Sequence, residues 1–424
     1  MMFDKLKRKL DALPCAAWEL TETVREGWEF YFIRRDLDQH RAVHVTGYSV
    51  RVYAASKDGR SLGRAAGDIP PTATDAEIDR ALHALLSRAE LMMNPFYTLA
   101  DVPPAVPFSS EPVDVEGISG GFLSAMSAVP ETETEFVNSS ELFVSGVTRH
   151  TLNSNGVEFL CSYPSSMLEL VVSARQGRRE VELYRLFRSG TCGREKLLGD
   201  AAAALRCGRD RLAAEPTPKL EGIDVVFSTA DAVELYRWFA QRMNAEMKYK
   251  KLSDWEGGSG VGAGAALCLE ALPSLENSSR NFPVDAEGGV IFPRYLIRDG
   301  IAEQFWGERQ YSQYLGLEQS SLVHNFRASG GTEGAVALRE GGCLELVEFS
   351  ALEVDPASGD LAGEIRLGYL RRGGETKIVT GGSVSGNLRS AAPSLRMSAE
   401  AVRYDNWEIP AVTRLSGLRI AGVS

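Results

Sequence analysis

The chain has 424 residues and a mass of 46.2 kDa, with 44% hydrophobic and 24% charged residues. This composition is typical of a folded globular protein and excludes a wholly disordered, collagen-like or disulfide-dense chain. The 46 Lys and Arg residues against 57 Asp and Glu give a net charge of -11, which disfavours binding to nucleic acid or to an anionic membrane. No window approaches the roughly 18 consecutive apolar residues that a membrane-spanning helix needs.

Residues 1–17 predict a short helical extension at the N-terminus. Phe3, Leu6, Leu10 and Leu13 recur there at helical spacing. Acidic and polar residues interrupt the stretch, so it lacks the apolar core of a secretion signal and we expect a cytoplasmic protein. The six cysteines form no CxxC pair and are expected to be free thiols in that compartment.

Residues 18–215 predict an N-terminal α+β domain. Residues 18–65 and 132–188 read as strands because apolar and polar side chains alternate between turn signals such as Asp58-Gly59. These segments predict a largely antiparallel sheet.

Two helices are predicted between and after these strands. Thr74 and Glu77 form a capping box ahead of an apolar stripe, which indicates that a helix begins there. Leu198, Leu205 and Leu212 predict the second helix. The proline-rich residues 101–115 are predicted to form a loop or linker.

Pro216 and Pro218 mark a domain boundary because proline ends helices and stiffens connections. Residues 219–424 then predict a C-terminal domain rich in strands, opened by a short strand and a helix from about Thr229. From about residue 281 onward, short strands and turns follow each other. The predicted fold class is therefore α+β, with large, mainly antiparallel sheets and a few packed helices.

The histidines do not predict a metal site. His40 and His44 form an HxxxH, but they lie in a strand-like stretch. Residues four apart in a strand are separated by roughly 13 Å, too far for two ligands of one zinc ion. Solvated histidines on a strand are the favoured interpretation.

A glycine-rich stretch runs from Gly257 to Gly264. It does not match the GxGxxG register of a dinucleotide-binding fold, and it lacks the Gly-Lys-Ser/Thr ending of a phosphate-binding loop. We interpret it as a mobile loop, with Gly258, Gly260 and Gly262 as candidates for gating a binding cleft.

No nucleophile stands out from the local sequence. The chain has no GxSxG motif, and Cys343 has no histidine near it in sequence. Local chemistry alone therefore names no catalytic group.

A series of sequence landmarks runs in a fixed order along the chain. Asp285, Glu287 and Gly288 form a D-x-E-G step. Further landmarks are "SDWEGG", "LIRDG", "SGDLAGEIRLGYLRRGGE", "VSGNL" and "IPAVTRLSGLRIAG", with "SVRVYAASKDGRSLGRA" and "NSNGV" in the N-terminal half. Together, and over nearly the whole chain, they resemble the TldD/PmbA family of peptide-processing proteins, also called modulators of DNA gyrase.

The resemblance implies a member without its own metal site. TldD-type members carry HExxxH on the first helix of the C-terminal domain and a cysteine near the C-terminus, which suit zinc. The corresponding helix here reads "DAVELYRWF" from Asp231 to Phe239 and has no histidine, and residues 392–424 contain no cysteine. The chain is therefore identified as a PmbA/TldE-type member, with zinc expected only in a TldD-type partner.

The resemblance also implies that such a subunit binds unfolded or leader peptides and helps to degrade or process them. We expect an extended peptide to add to an open strand edge through backbone hydrogen bonds. The candidate edges lie in residues 285–297 and 344–354. The candidate peptide-binding residues are Asp285, Glu287, Gly288, Val290, Phe292, Leu344 and Leu346.

Two other functions remain open from the sequence. One is a stand-alone homodimer of the same fold that binds peptide or another ligand without cleaving it. The other is a peptidase with a different catalytic set, using Cys343 or carboxylates. A link to gyrase is weak, because the acidic composition offers no DNA-binding surface.

Overall fold

A computed structural model describes residues 2–101, 111–264, 267–317 and 320–423. Among these residues, the helices are short or polar, and none has the length and hydropathy needed to cross a lipid bilayer. The predicted loop at 101–115 lies mostly outside the described residues.

The N-terminal half is built on one antiparallel sheet of seven strands, in the order β4-β3-β2-β1-β5-β6-β7. Its strands are β1 (Ala17–Ile33), β2 (Asp36–Ala55), β3 (Ser61–Ile69), β4 (Met93–Pro95), β5 (Glu135–Asn153), β6 (Glu158–Gln176) and β7 (Arg179–Ser189). The strands and the turn at Asp58-Gly59 are as predicted, and Gly59 has a φ of 68°. Such a backbone conformation costs glycine little.

Four helices cover one face of this sheet: α1 (Met2–Ala12), α2 (Asp75–Leu91), α3 (Val115–Ser127) and α4 (Arg194–Ala213). The predicted capping box is present in α2, where Oγ1 of Thr74 accepts from the N–H of Glu77 and the Glu77 carboxylate accepts from the N–H of Thr74. Helices α1 and α2 share an apolar cluster with the first strands, and α3 and α4 share another with β5 and β6.

The sequence analysis did not predict α3, because three glycines lower its helix propensity. The helix forms because Asp114 caps it, accepting from the N–H of Gly117, and because Phe122 and Ala125 are buried. In α4, Leu205 and Leu212 are buried as predicted, but Leu197 is more deeply buried than the predicted Leu198.

The C-terminal half contains two further sheets and short helices. A nine-stranded sheet contains β8 (Glu215–Pro216), β9 (Asp224–Phe227), β14 (Cys343–Val354), β15 (Asp360–Arg372), β16 (Glu375–Thr380), β17 (Ser383–Asn387), β18 (Arg396–Met397), β21 (Thr413–Leu415) and β22 (Arg419–Ala421). A six-stranded sheet contains β10 (Cys268–Leu272), β11 (Arg294–Arg298), β12 (Ile301–Ala302), β13 (Asn325–Ser329), β19 (Ala401–Tyr404) and β20 (Trp407–Pro410). The helices are α5 (Val233–Arg242), α6 (Ala245–Tyr249), α7 (Arg309–Tyr314) and α8 (Leu388–Ala391).

The pairing confirms the predicted fold class, because antiparallel neighbours predominate and only β13–β20, β14–β9 and β16–β8 pair in parallel among the described strands. The largest apolar cluster fills the C-terminal half and also takes in Ala100, Val157, Phe159 and Cys161 from the N-terminal half. The two halves therefore share a core. The predicted boundary near residues 216–218 stays a prediction.

Candidate functional site

The face of the N-terminal sheet that points away from α1, α2, α3 and α4 is polar and lies opposite a loop of the C-terminal half. Side chains alternate along a strand, so Glu19, Thr21, Thr23 and Arg25 of β1 share this face. The register places Arg51 beside Glu19, Ser49 beside Thr21, and Arg149 beside Thr23. Neighbouring strands thus contribute to one polar surface.

This surface and the loop enclose a cavity of about 300 Å³. Its lining consists of Glu19, Thr21, Thr23, Arg25, Ser49, Arg51, Val147, Arg149, Tyr163 and Ala286. Ala286 is the variable residue of the D-x-E-G step, so this segment of the C-terminal half lies next to the polar face of the sheet.

Asp285 organises the loop at the edge of the cavity. Its Oδ1 accepts from the N–H groups of Glu287 at 2.9 Å and Gly289 at 2.8 Å, and its Oδ2 accepts from the N–H of Leu322 at 2.9 Å. Burial raises the pKa of this carboxyl, while the three N–H donors oppose that rise. These contacts make Asp285 a structural anchor.

Gly288 allows the loop to approach the N-terminal sheet closely. Its φ is 78°, and a Cβ at this position would lie 2.9 Å from Cγ1 of Val157. A larger residue would be strained and would press against the "NSNGV" hairpin. The glycine of the D-x-E-G step therefore serves the contact between the two halves.

Glu287 is buried between the halves. Its Oε2 accepts from the N–H of Arg309 at 2.9 Å, and its Oε1 lies 3.8 Å from Nη1 of Arg51 and 3.6 Å from Nη1 of Arg64. Burial and the nearby carboxylates of Asp285 and Glu19 raise the pKa of Glu287 to about 7. This carboxyl group titrates near neutral pH.

An ion-pair network continues on the sheet side. Oε2 of the buried Glu19 lies 3.1 Å from Nη1 of Arg51, and burial raises the pKa of Glu19 while Arg51 opposes the rise. Arg64 lies 3.1 Å from Oε2 of Glu308 in the C-terminal half. With Glu287, these groups form a charged contact between the two halves at the edge of the cavity. Removing one partner of a buried ion pair typically lowers the free energy of unfolding by about 3 to 5 kcal/mol.

The other predicted peptide-binding positions lie away from the cavity lining. Val290 is half-buried and Phe292 is exposed in the segment before β11. Leu344 and Leu346 are fully buried in β14, paired with β9 on one side and β15 on the other. Leu344 and Leu346 therefore offer a peptide neither a free backbone edge nor side-chain surface.

The predicted open edge along residues 285–297 is also occupied at β11. The N–H of Glu303 donates to the carbonyl of Leu296 at 2.8 Å, and the N–H of Gln304 donates to that of Tyr295 at 3.3 Å. Strand β12 pairs with the end of β11.

The glycine-rich loop covers the edge of β12. The N–H of Gly258 donates to the carbonyl of Ala302 at 2.7 Å, and the N–H of Ala302 donates to that of Ser259 at 2.9 Å. Gly258 and Gly262 have φ values of 86° and 76°, whereas Gly260 has no positive φ. These bonds attach the loop to the sheet, and its gating role stays a prediction.

Helix α5 is the helix that the family resemblance matches to the HExxxH helix of TldD-type members. Tyr236, Trp238 and Phe239 of this helix are buried in the largest apolar cluster, and the Tyr236 hydroxyl lies 2.6 Å from Oγ1 of Thr413. Across the described ranges, no three His, Cys, Asp or Glu side chains are grouped so that they could hold a metal ion.

The remaining sequence candidates have other surroundings. His40 is exposed on β2, with its ring 4.6 Å from that of Phe30, and His44 lies 2.9 Å from Glu26. Cys343 is buried, its thiol donates to the carbonyl of Arg339 at 3.4 Å, and burial raises its pKa. A nucleophilic cysteine needs the opposite shift.

A second depression of about 450 Å³ lies between α1 and α2. Its charges pair with each other, with Lys5 at 2.7 Å from Asp75 and Lys9 at 2.6 Å from Asp79. The cavity beside Asp285 is the stronger candidate because two of its three arginines, Arg25 and Arg149, have no such partners among the described residues.

Sequence reasoning missed Glu19, Arg25, Arg149 and Tyr163. Strand alternation could have placed Glu19 and Arg25 on one face. Nothing local indicated that β5, β6 and a loop beyond residue 280 would meet that face.

Comparison with known proteins supports the resemblance. Residues 221–422 match the family model described as the PmbA/TldA metallopeptidase C-terminal domain. A comparison with curated protein sequences gives no significant match.

Three solved structures share the fold over nearly the whole chain at 15% sequence identity. TldE from Thermococcus kodakarensis has a TM-score of 0.79, with 99% of each chain covered. A suggested modulator of a DNA gyrase from Thermotoga maritima has a TM-score of 0.79, with 99% of this chain and 100% of that chain covered. A similarly described protein from Bacteroides thetaiotaomicron has a TM-score of 0.81, with 100% of this chain and 98% of that chain covered. Residues 221–422 therefore form a C-terminal domain of the PmbA/TldA metallopeptidase type, in a chain that has the fold of TldE and of the two modulator proteins.

Proposed function

We propose that the chain is a non-catalytic subunit of the TldE/PmbA type. In this proposal it binds unfolded or leader peptides and assembles with a TldD-type subunit that carries HExxxH and zinc. The peptide is cleaved at the partner's metal.

The observation that carries the proposal is helix α5. A zinc site of the HExxxH type places two histidines and a glutamate on one helix. Helix α5 contributes Tyr236, Trp238 and Phe239 to the buried core and contains no histidine. The family's catalytic helix is therefore used for packing in this chain.

Peptide binding is supported by the cavity between the halves. Its hydroxyl groups on Thr21, Thr23 and Ser49 can accept or donate hydrogen bonds to a peptide backbone, and Arg25 and Arg149 supply charged donors. Such groups recognise main-chain atoms with little dependence on sequence, as an unfolded substrate requires.

Reconstitution with a TldD-type chain from the same genome tests the proposal. An unstructured, internally quenched peptide would be incubated with the chain alone, the partner alone and both together. We expect no cleavage by the chain alone, and faster cleavage by the mixture than by the partner. Light scattering on the mixture should give the mass of a complex containing both chains.

Cleavage by the isolated chain that survives a chelator would contradict the proposal and favour a different catalytic set. A homodimer that stays unchanged when the TldD-type chain is added would contradict assembly and favour the stand-alone protein.

A further inference from the structure

Among the described residues, three arginines beside the cavity have no carboxylate partner. Arg25 and Arg149 line the cavity, and Arg280 lies close enough for its charge to act on Tyr163. In the part of the chain that the structure describes, none of the three forms an ion pair, whereas Arg51 and Arg64 pair with Glu19 and Glu308. This positive charge stands out in a chain with a net charge of -11.

The positive charge of these arginines affects the pKa values of two neighbouring side chains. Burial, with the charges of Arg280 and Arg149, lowers the pKa of His324 to about 4, so its imidazole is neutral at pH 7. Burial raises the pKa of the Tyr163 hydroxyl, while the three arginines oppose the rise. The cavity is thus positively charged on the side of these residues.

The arrangement suits an anion with two oxygens. A guanidinium group presents a planar fork of donors that matches a carboxylate. Arg149 is held in place on β5, with its guanidinium carbon 5.4 Å from the ring centre of Phe282. The hydroxyls of Thr23 and Ser49 add donors on the same sheet face.

The size of the cavity limits its occupant. A volume of about 300 Å³ holds one end of a ligand and not a folded partner. Arg25 is exposed, so the remainder of the ligand can extend to solvent past this residue.

We propose that this cavity is an oxyanion site that receives the terminal carboxylate of a bound peptide through Arg149 and Arg25. This inference rests on the peptide-binding function proposed above. The chain then recognises the C-terminal carboxylate of a peptide, whatever side chains the peptide carries.

The test uses an unstructured decapeptide with fluorescein on its N-terminus, made once with a free C-terminal acid and once with a C-terminal amide. Fluorescence anisotropy measures Kd for the chain and for its Arg149→Gln, Arg25→Gln and Arg178→Gln variants. Arg178 is exposed in the turn after β6, away from the cavity, and serves as the matched control. Thermal unfolding checks that each variant is folded.

We expect the acid to bind about tenfold more tightly than the amide, as a charge-assisted hydrogen bond to a carboxylate predicts. Arg149→Gln and Arg25→Gln should reduce or remove that difference, and Arg178→Gln should keep it. Inorganic phosphate should displace the acid and leave binding of the amide unchanged.

Equal affinity for acid and amide, or a difference that both cavity variants retain, would overturn the carboxylate site and leave peptide binding intact. Failure of both peptides to bind would overturn the proposed peptide-binding function and this inference together. Arg25 is exposed, so Arg25→Gln gives a result even where Arg149→Gln fails to fold.

Discussion

Two acidic residues, separated by a single alanine, have different roles at the cavity edge. Asp285 directs both carboxylate oxygens at backbone N–H groups and fixes the loop. Glu287 receives one N–H and shares Arg51 and Arg64 with other carboxylates, so its charge is poorly compensated. The D-x-E-G step thus combines a structural anchor with a carboxyl group that titrates near neutral pH.

Glu287 should make stability depend on pH. Its pKa is raised to about 7 in the folded state, against an unfolded value of 4.5, so the folded state binds the proton more tightly. Stability should therefore be greatest below the unfolded pKa and fall as pH rises towards 7, by up to about 3 kcal/mol. Glu287→Gln should remove this fall while keeping an acceptor for the N–H of Arg309.

Urea unfolding of the wild type and of Glu287→Gln between pH 5 and 8 measures the effect. The stability difference between the two should change with pH, in favour of the variant at high pH. The pKa of His324 is lowered to about 4, so this residue makes the free energy of unfolding decrease as pH falls. The contribution is the same in the wild type and in Glu287→Gln, so it cancels when the two are compared. Glu133→Gln, at an exposed position, is the control. A difference that does not vary with pH would contradict the raised pKa.

At the scale of elements, the glycine-rich loop gives a matched pair of substitutions. A Cβ added at Gly258 or at Gly260 would meet no other atom within 4 Å, but only Gly258 has a positive φ. Gly258→Ala should therefore cost about 1 kcal/mol through backbone strain, and Gly260→Ala should be close to neutral. Denaturant unfolding compares the two, and equal stability would show that the loop does not hold the φ of 86° at Gly258.

The elements also show where sequence reasoning succeeds. Helix α2 was predictable because its cap at Thr74 and its apolar stripe are local. Helix α3 was not, because its glycines disfavour a helix and its stability comes from burying Phe122 against residues far away in the chain. Propensity is a weak guide where tertiary packing decides.

For the whole molecule, the fold class and family could be predicted because the landmarks occur in order along the sequence. The cavity could not, because it joins β1, β2, β5, β6 and a loop of the other half. Asp285 and Glu287 were found through the family resemblance, whereas Arg25 and Arg149 become a pair only when the sheet forms. Both halves contribute to one apolar core, so the cavity between them forms only when the two halves pack together.

The zinc content of the purified chain, measured by elemental analysis after dialysis without chelator, tests the central claim of a non-catalytic subunit most directly. We expect well below about 0.1 equivalent per chain, since helix α5 contains no histidine and no three His, Cys, Asp or Glu side chains are grouped among the described residues. About one tightly held equivalent would contradict the account and show that the chain carries a metal site of its own.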